Sequence, residues 1–127
     1  TRDTSPYYEA WVRSAPALAD EVRGGLESRN LKRLGEAMEQ STLAMHACGI
    51  AAGPGLLYWQ PATVAAFHRV RELRTEGVEV YATMDAGPHV KALCRAADVA
   101  RVAAALEATP GVLRTLRATP GPGVQLG

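Results

Sequence analysis

The chain has 127 residues, 47% of them apolar, enough for one ordinary globular domain with its own core. Fourteen basic residues stand against thirteen acidic ones and the arginines are scattered, so the basic stripe expected of a nucleic-acid partner is missing. No apolar run approaches the roughly 20 residues that cross a bilayer, and the chain reads as cytoplasmic, with no membrane partner.

Cys48 and Cys94 are far apart and neither has a second cysteine at ligand spacing, so free thiols are expected and no metal site. Thr1 opens the chain without a methionine, and a preceding segment is expected. Ser5-Pro6 has the form of a helix start, in which the serine oxygen takes a free amide and proline occupies the first helical position. Tyr8, Trp11, Val12 and Ala15 then recur at helical spacing. Ser14 and Pro16 interrupt them and Gly24-Gly25 weakens the resumed helix, which predicts two short helical pieces.

Asn30 caps the next predicted helix, with Leu31, Leu34, Met38 and Met45 near one face, Glu36, Glu39 and Gln40 on the wet one, and Gly49 as its stop. A loop over 51–55 and an apolar landing over 56–59 precede a helix from Pro61 to about Arg74. That helix buries Ala66, Phe67, Val70 and Leu73, leaves His68 exposed and ends at Gly77.

The period then changes to two. Val78, Val80, Ala82 and Met84 alternate with Glu79, Tyr81, Thr83 and Asp85, as in a strand with one packed face. A turn over 86–89 leads to a second strand over 90–94, forming a hairpin. Asp98 caps a helix that ends near Thr109-Pro110-Gly111. Residues 112–118 read as a last strand and 120–123 as a stiff turn. The fold class is α+β, with helices on one face of a small, mostly antiparallel, ferredoxin-like sheet.

Chemistry concentrates in Met84-Asp85-Ala86-Gly87-Pro88-His89-Val90-Lys91, where a carboxylate stands at a strand end beside a glycine and a proline. On spacing alone Asp85 is either a turn cap bonded to its own backbone or an acid facing a ligand. His89 and Lys91 fall on one side of the second strand and can offer a proton or a positive charge to an anion. Ser5, Tyr7 and Tyr8 are candidates to line a pocket, and Trp11, Tyr58 and Trp59 are packing anchors. His46, late on its helix, reads as an interface histidine with its polar groups satisfied, against the alternative of a base. Gly53-Pro54-Gly55 and Gly121-Pro122-Gly123 are too short and proline-rich for phosphate loops, which need successive free amides.

Four blocks in order, 4–11 (TSPYYEAW), Met45-His46-Ala47, 57–63 (LYWQPAT) and 84–88 (MDAGP), resemble bacterial diphosphomevalonate decarboxylases over essentially the whole chain. The Asp-Ala-Gly-Pro turn alone resembles the wider superfamily of galactokinase, homoserine kinase, mevalonate kinase and phosphomevalonate kinase. The resemblance implies that residues 1–127 are a carboxy-terminal, substrate-side domain. It also implies an amino-terminal domain, absent here, that carries the glycine-rich phosphate loop. The implied substrate is mevalonate diphosphate, with ATP and magnesium, and the family's habit allows a homodimer. Asp85 matches the family's essential aspartate, set against the tertiary hydroxyl, and Ala86, Gly87, Pro88, His89, Lys91 and Ser5 are the substrate-pocket candidates. His89 departs from the family's asparagine, and Cys48 stands where relatives carry a polar residue. Little turnover is expected of these residues alone. A kinase of the superfamily, such as phosphomevalonate kinase, and a metabolite-binding regulatory domain are the alternatives.

Overall fold

The computed structural model describes residues 1–123. Two long helices, α1 (Tyr8–Glu27) and α2 (Leu31–Ile50), form an antiparallel pair, and α3 (Pro61–Thr75) leads into the hairpin of β1 (Val80–Thr83) and β2 (Lys91–Cys94). A 3-10 turn over Ala96–Asp98 then opens α4 (Val99–Glu107).

The first two expected pieces are one helix. Pro16 lies inside α1, where it forgoes one backbone bond, and the helix continues because its inner face rests on α2. Gly24 and Gly25 permit that packing: a Cβ on Gly25 would stand 2.6 Å from the Leu34 amide nitrogen. Nor does Ser5 cap α1. The helix starts three residues later, at Tyr8, and no side chain caps it. The helix ends instead in a reverse turn in which Asn30 N donates to Gly25 O (2.8 Å) and Arg29 N to Leu26 O (3.1 Å), with Arg29 in the left-handed region at φ 53°. Asn30 then caps α2, its Oδ1 accepting from Arg33 N at 3.0 Å. α2 runs one residue past Gly49, whose carbonyl accepts the amides of Ala52 and Leu56.

The core lies between α3, the hairpin and α4. Phe67, Val70 and Leu73 meet Val78, Val80, Ala82 and Met84, with Val102 closing the far side. Burial of each of these side chains larger than alanine contributes about 1.5–3 kcal/mol. This is the face that strand alternation predicted, and α3 buries its four expected residues. Of the 56–59 landing only Trp59 packs on the core, stacking on Phe67 at 5.7 Å, while Leu57 stays 69% exposed.

Two expectations fail at the sheet. The opposite face of β1 is also covered, because Gly35 of α2 lets the Tyr81 ring approach so closely that Tyr81 is buried. Residues 112–118 form no strand: Leu113 and Leu116 remain exposed, and the Thr115 hydroxyl bonds Glu107 at the end of α4. The sheet therefore has two strands, and the α+β class stands.

The outer edge of β1 is satisfied by side chains. Register pairs Val80 with Cys94 and Ala82 with Ala92, and the backbone groups of Val80, Ala82 and Met84 point away from β2. Val80 O accepts from Arg74 Nη1 (3.0 Å), Ala82 N donates to Glu39 Oε2 (3.0 Å), and Met84 N donates to Thr42 Oγ1 (3.1 Å), which itself donates to Met84 O. Buried peptide groups need such partners. Glu39, expected on the wet face, is therefore buried and bound by both Arg74 Nη atoms at 2.7 and 2.9 Å. Asp98 occupies the N-cap position of α4 but its side chain makes no cap bond. Gly77 and Gly111, at φ 86° and 84°, close α3 and the turn after α4 as expected. Residues 120–123 carry no regular structure, and 124–127 lie outside the described residues.

Candidate active site

Asp85 is the first residue after the packed end of β1. Met84 before it is fully buried, whereas the Asp85 side chain is 83% exposed and pairs with Lys91 Nζ at 2.5 Å. The strand's period of two produces this switch: Met84 faces the core, so Asp85 faces the opposite side, where Lys91, opposite Thr83 in register, can reach it. The hydrogen bond from Lys91, and then its charge, hold the Asp85 carboxyl below the usual aspartate range. A ligand-facing acid and a turn cap were both open from spacing; the carboxylate here bonds the lysine side chain.

The turn after Asp85 is exposed at Ala86, Pro88 and His89. Gly87 takes φ 139°, a conformation that other residues rarely adopt, and a Cβ there would meet nothing within 4 Å. Thr63, buried in the first turn of α3, accepts from Gln60 N at 3.2 Å and donates to Pro88 O at 3.0 Å. The far end of the turn is thereby fastened to α3, as Thr42 fastens the near end to α2. Sequence reasoning gave neither threonine a role. The available signal was a threonine on the buried stripe of each helix, where a hydroxyl needs a partner.

His46 lies one helical turn beyond Thr42 and is buried, with the rings of Tyr58 and Trp59 edge-on at 6.1 and 5.7 Å. The expectation of a satisfied histidine fails: His46 Nε2 and Trp59 Nε1 are both buried with no hydrogen-bond partner among the described residues. Ser5 is placed elsewhere, its hydroxyl donating to Cys48 O at 2.7 Å and so tying the amino-terminal segment to the end of α2. Cys48 and Cys94 are free thiols, as expected.

The grooves along α2 are lined by residues such as Leu18, Arg33 and Gln40 on one side and Leu43, Arg74 and Tyr81 on the other; neither includes the Asp85 turn. Among the described residues, no group of three or more His, Cys, Asp or Glu could hold a metal ion. No helix of the described residues is long and apolar enough to cross a membrane.

This helix-rich α+β fold with its short hairpin is similar to that of solved decarboxylases named for phosphorylated mevalonate. Three solved structures show it. The mevalonate pyrophosphate decarboxylase of Streptococcus pyogenes is 38% identical with a TM-score of 0.79, covering 84% of this chain and 34% of that one. A structure of the mevalonate diphosphate decarboxylase from Enterococcus faecalis, described as addressing mevalonate diphosphate mediated ATP binding, and one described as MDDEF in complex with MVAPP, AMPPCP and magnesium are each 32% identical. Both have a TM-score of 0.80 and cover 86% of this chain and 34% of the other. Among curated proteins, the phosphomevalonate decarboxylase of Haloferax volcanii is 33% identical over 87 residues, 68% of this chain and 27% of that protein. No family model matches. The resemblance carried by the four sequence blocks is borne out: the chain is related to the mevalonate diphosphate decarboxylases and spans about a third of their length.

Proposed function

We propose that this chain is the carboxy-terminal, substrate-side domain of an ATP-dependent decarboxylase that converts mevalonate diphosphate to isopentenyl diphosphate, ADP, phosphate and carbon dioxide. The observation that carries the reading is Asp85: an ionised carboxylate presented clear of the surface, on a turn hydrogen-bonded at both ends to the helices, in a chain that shares sequence and fold with decarboxylases of this substrate.

An alcohol proton is far too weakly acidic for a carboxylate to hold much free alkoxide. Asp85 therefore orients the tertiary hydroxyl and takes its proton as the oxygen bonds to the γ-phosphorus of ATP and the bond to ADP breaks. The phosphorylated oxygen then leaves as phosphate with its bonding electrons. The electron pair of the breaking bond to the carboxylate carbon becomes the new double bond, and carbon dioxide departs. Ala86, Gly87, Pro88 and His89 form the wall beside Asp85, and Lys91 offers its charge to the anionic substrate. Ser5, already bonded to Cys48 O, would contribute only by exchanging that partner.

A structural relative holds an ATP analogue and magnesium, but among the described residues no cluster of three or more His, Cys, Asp or Glu could hold a metal ion, and none of these steps is assigned to the metal. An amino-terminal domain outside this chain would carry the nucleotide and cover the Asp85 turn, so these residues alone should turn over negligibly. Cytoplasmic residence and a homodimer belong to the same reading.

The Haloferax relative, named for the monophosphate, supports a second reading in which phosphomevalonate is the substrate. The test supplies ATP with each mevalonate phosphate to the intact parent protein and to its Asp85→Asn form. Carbon dioxide release that is lost in the variant supports the decarboxylase, and the more active substrate fixes the phosphate count. A stable phosphorylated product without carbon dioxide would make the protein a kinase. Absence of ATP consumption would leave the regulatory-domain alternative.

A further inference from the structure

We propose that Thr42 and Thr63 are positioning residues that set the Asp85 carboxylate by gripping the backbone on either side of it. This rests on the reading of Asp85 as the proton acceptor.

The two grips come from different helices. Thr42, on α2, uses its hydroxyl twice on Met84, accepting from the amide at 3.1 Å and donating to the carbonyl. Thr63, on α3, accepts from Gln60 N and donates to the carbonyl of Pro88 at 3.0 Å. Both threonines are buried, at 5% and 3% exposure, so each hydroxyl holds its geometry without competition from water. Among the described residues these are the hydrogen bonds that reach the 84–88 backbone from outside the hairpin. Between the two grips stand Asp85, Ala86 and Gly87, and Gly87 at φ 139° is the most permissive point of the turn. The Asp85 side chain is 83% exposed, and its hydrogen-bond partner among the described residues is the exposed Lys91.

A reacting carboxylate must sit within about 0.5 Å of its productive position, and a misplacement of about 1 Å can lower a rate roughly 100-fold. Burial of Met84 in the core anchors one side of Asp85, and the two hydroxyl grips add fixed points on the backbone at both ends of the turn.

The experiment compares Thr42→Val, Thr42→Ser, Thr63→Val and Thr63→Ser in the intact parent protein, measuring kcat, both KM values and the melting temperature. The valine variants keep the shape and remove the hydroxyl. They should lower kcat about 10- to 100-fold with KM within about twofold, and the serine variants should recover most of the rate. Valine variants that are folded and turn over at the wild-type rate would overturn the proposal, as would serine variants as slow as the valine ones. If Thr42→Val fails to fold, the Thr63 pair and Thr42→Ser decide in the same way. Should the parent release no carbon dioxide from either mevalonate phosphate, the decarboxylase reading fails on its own. The clamp is then judged in the same protein by amide hydrogen exchange over residues 84–88: faster exchange in the valine variants with recovery in serine supports it, and wild-type rates overturn it.

Discussion

Replacing Glu39 by glutamine should destabilise the domain strongly while changing almost no volume. Glu39 has a side chain only 10% exposed, and its two oxygens take both Nη atoms of Arg74 and the amide of Ala82. Glutamine keeps one oxygen for Ala82 but turns an NH2 toward the guanidinium, so the charge of Arg74, 27% exposed at its side chain, loses its counterion. Removing one partner of a buried pair costs about 3–5 kcal/mol. Because Arg74 keeps Val80 O, lies over the Tyr81 ring at 5.1 Å and retains some water, about 2–4 kcal/mol is the expected loss. At about 3–5 °C per kcal/mol for a domain of this size, the melting temperature should fall by roughly 6–20 °C. Acid gives a second reading of the same pair. Burial pushes the Glu39 carboxyl upward, but the hydrogen bonds and charge from Arg74, the Ala82 amide and Arg71 outweigh it and leave the group below its ordinary value of 4.5. A depressed carboxylate stabilises fully above its unfolded value and loses that contribution as pH falls through the folded one. Wild-type stability should therefore decline below about pH 4.5, and the variant should lack that part of the decline. Urea titrations followed by circular dichroism between pH 3 and 7 measure both effects. A variant with the wild-type midpoint at pH 7 and the wild-type acid slope would refute the reasoning.

Gly25→Ala should destabilise α1, although alanine in a helix interior ordinarily gains about 0.5–1 kcal/mol over glycine, because the new Cβ meets the Leu34 backbone at 2.6 Å. Gly24→Ala is the control: its Cβ meets first the tip of the Arg33 side chain, which can swing away at the loss of an exposed bond to Glu21, and thermal melts should show it near wild type. Lys91→Met removes the group that lowers Asp85, so the Asp85 carboxyl should titrate at higher pH by carbon-13 NMR. The acid limb of kcat/KM in the parent protein, which reports the free enzyme, should move to higher pH with it, and an unmoved titration would sever Lys91 from Asp85.

Periodicity exposed the parts of this fold that depend on one face meeting one core. Phe67, Val70 and Leu73 on α3, and Val80 and Ala82 on β1 with Met84 just after it, are buried as their spacing dictates. Misreadings occurred where an element answers to a distant partner. Pro16 looked like a break because local chemistry says so, yet α2 holds the helix together through it. Gly24-Gly25 looked like a weak point of the helix, whereas Gly25 packs directly on the Leu34 backbone of α2, and Arg29 takes the left-handed position after the helix. Glu39 looked solvated because nothing near it in sequence reveals that it faces Ala82 and Arg74, more than thirty residues away. The predicted strand over 112–118 had suitable residues, but it pairs with neither strand of the hairpin, and Thr115 bonds Glu107 at the end of α4 instead. Asp85 was visible as a turn carboxylate, and only the resemblance distinguished it from a cap.

The division between what is buried and what is exposed around Asp85 also shapes its chemistry. Backbone supports on both sides of the turn are internal and complete, through Thr42 and Thr63, while the carboxylate itself stands 83% exposed against an exposed lysine. In that setting Lys91 lowers the proton affinity of Asp85, which keeps the carboxylate ionised but makes it a poorer base. An anionic substrate that drew Lys91 onto its own phosphates would reverse this at the moment of binding. The lysine charge would then neutralise the ligand, Asp85 would lose its hydrogen bond, and exclusion of water would raise its affinity for the hydroxyl proton. On this argument the base gains strength only in the closed complex, which is where a proton acceptor for phosphoryl transfer is needed.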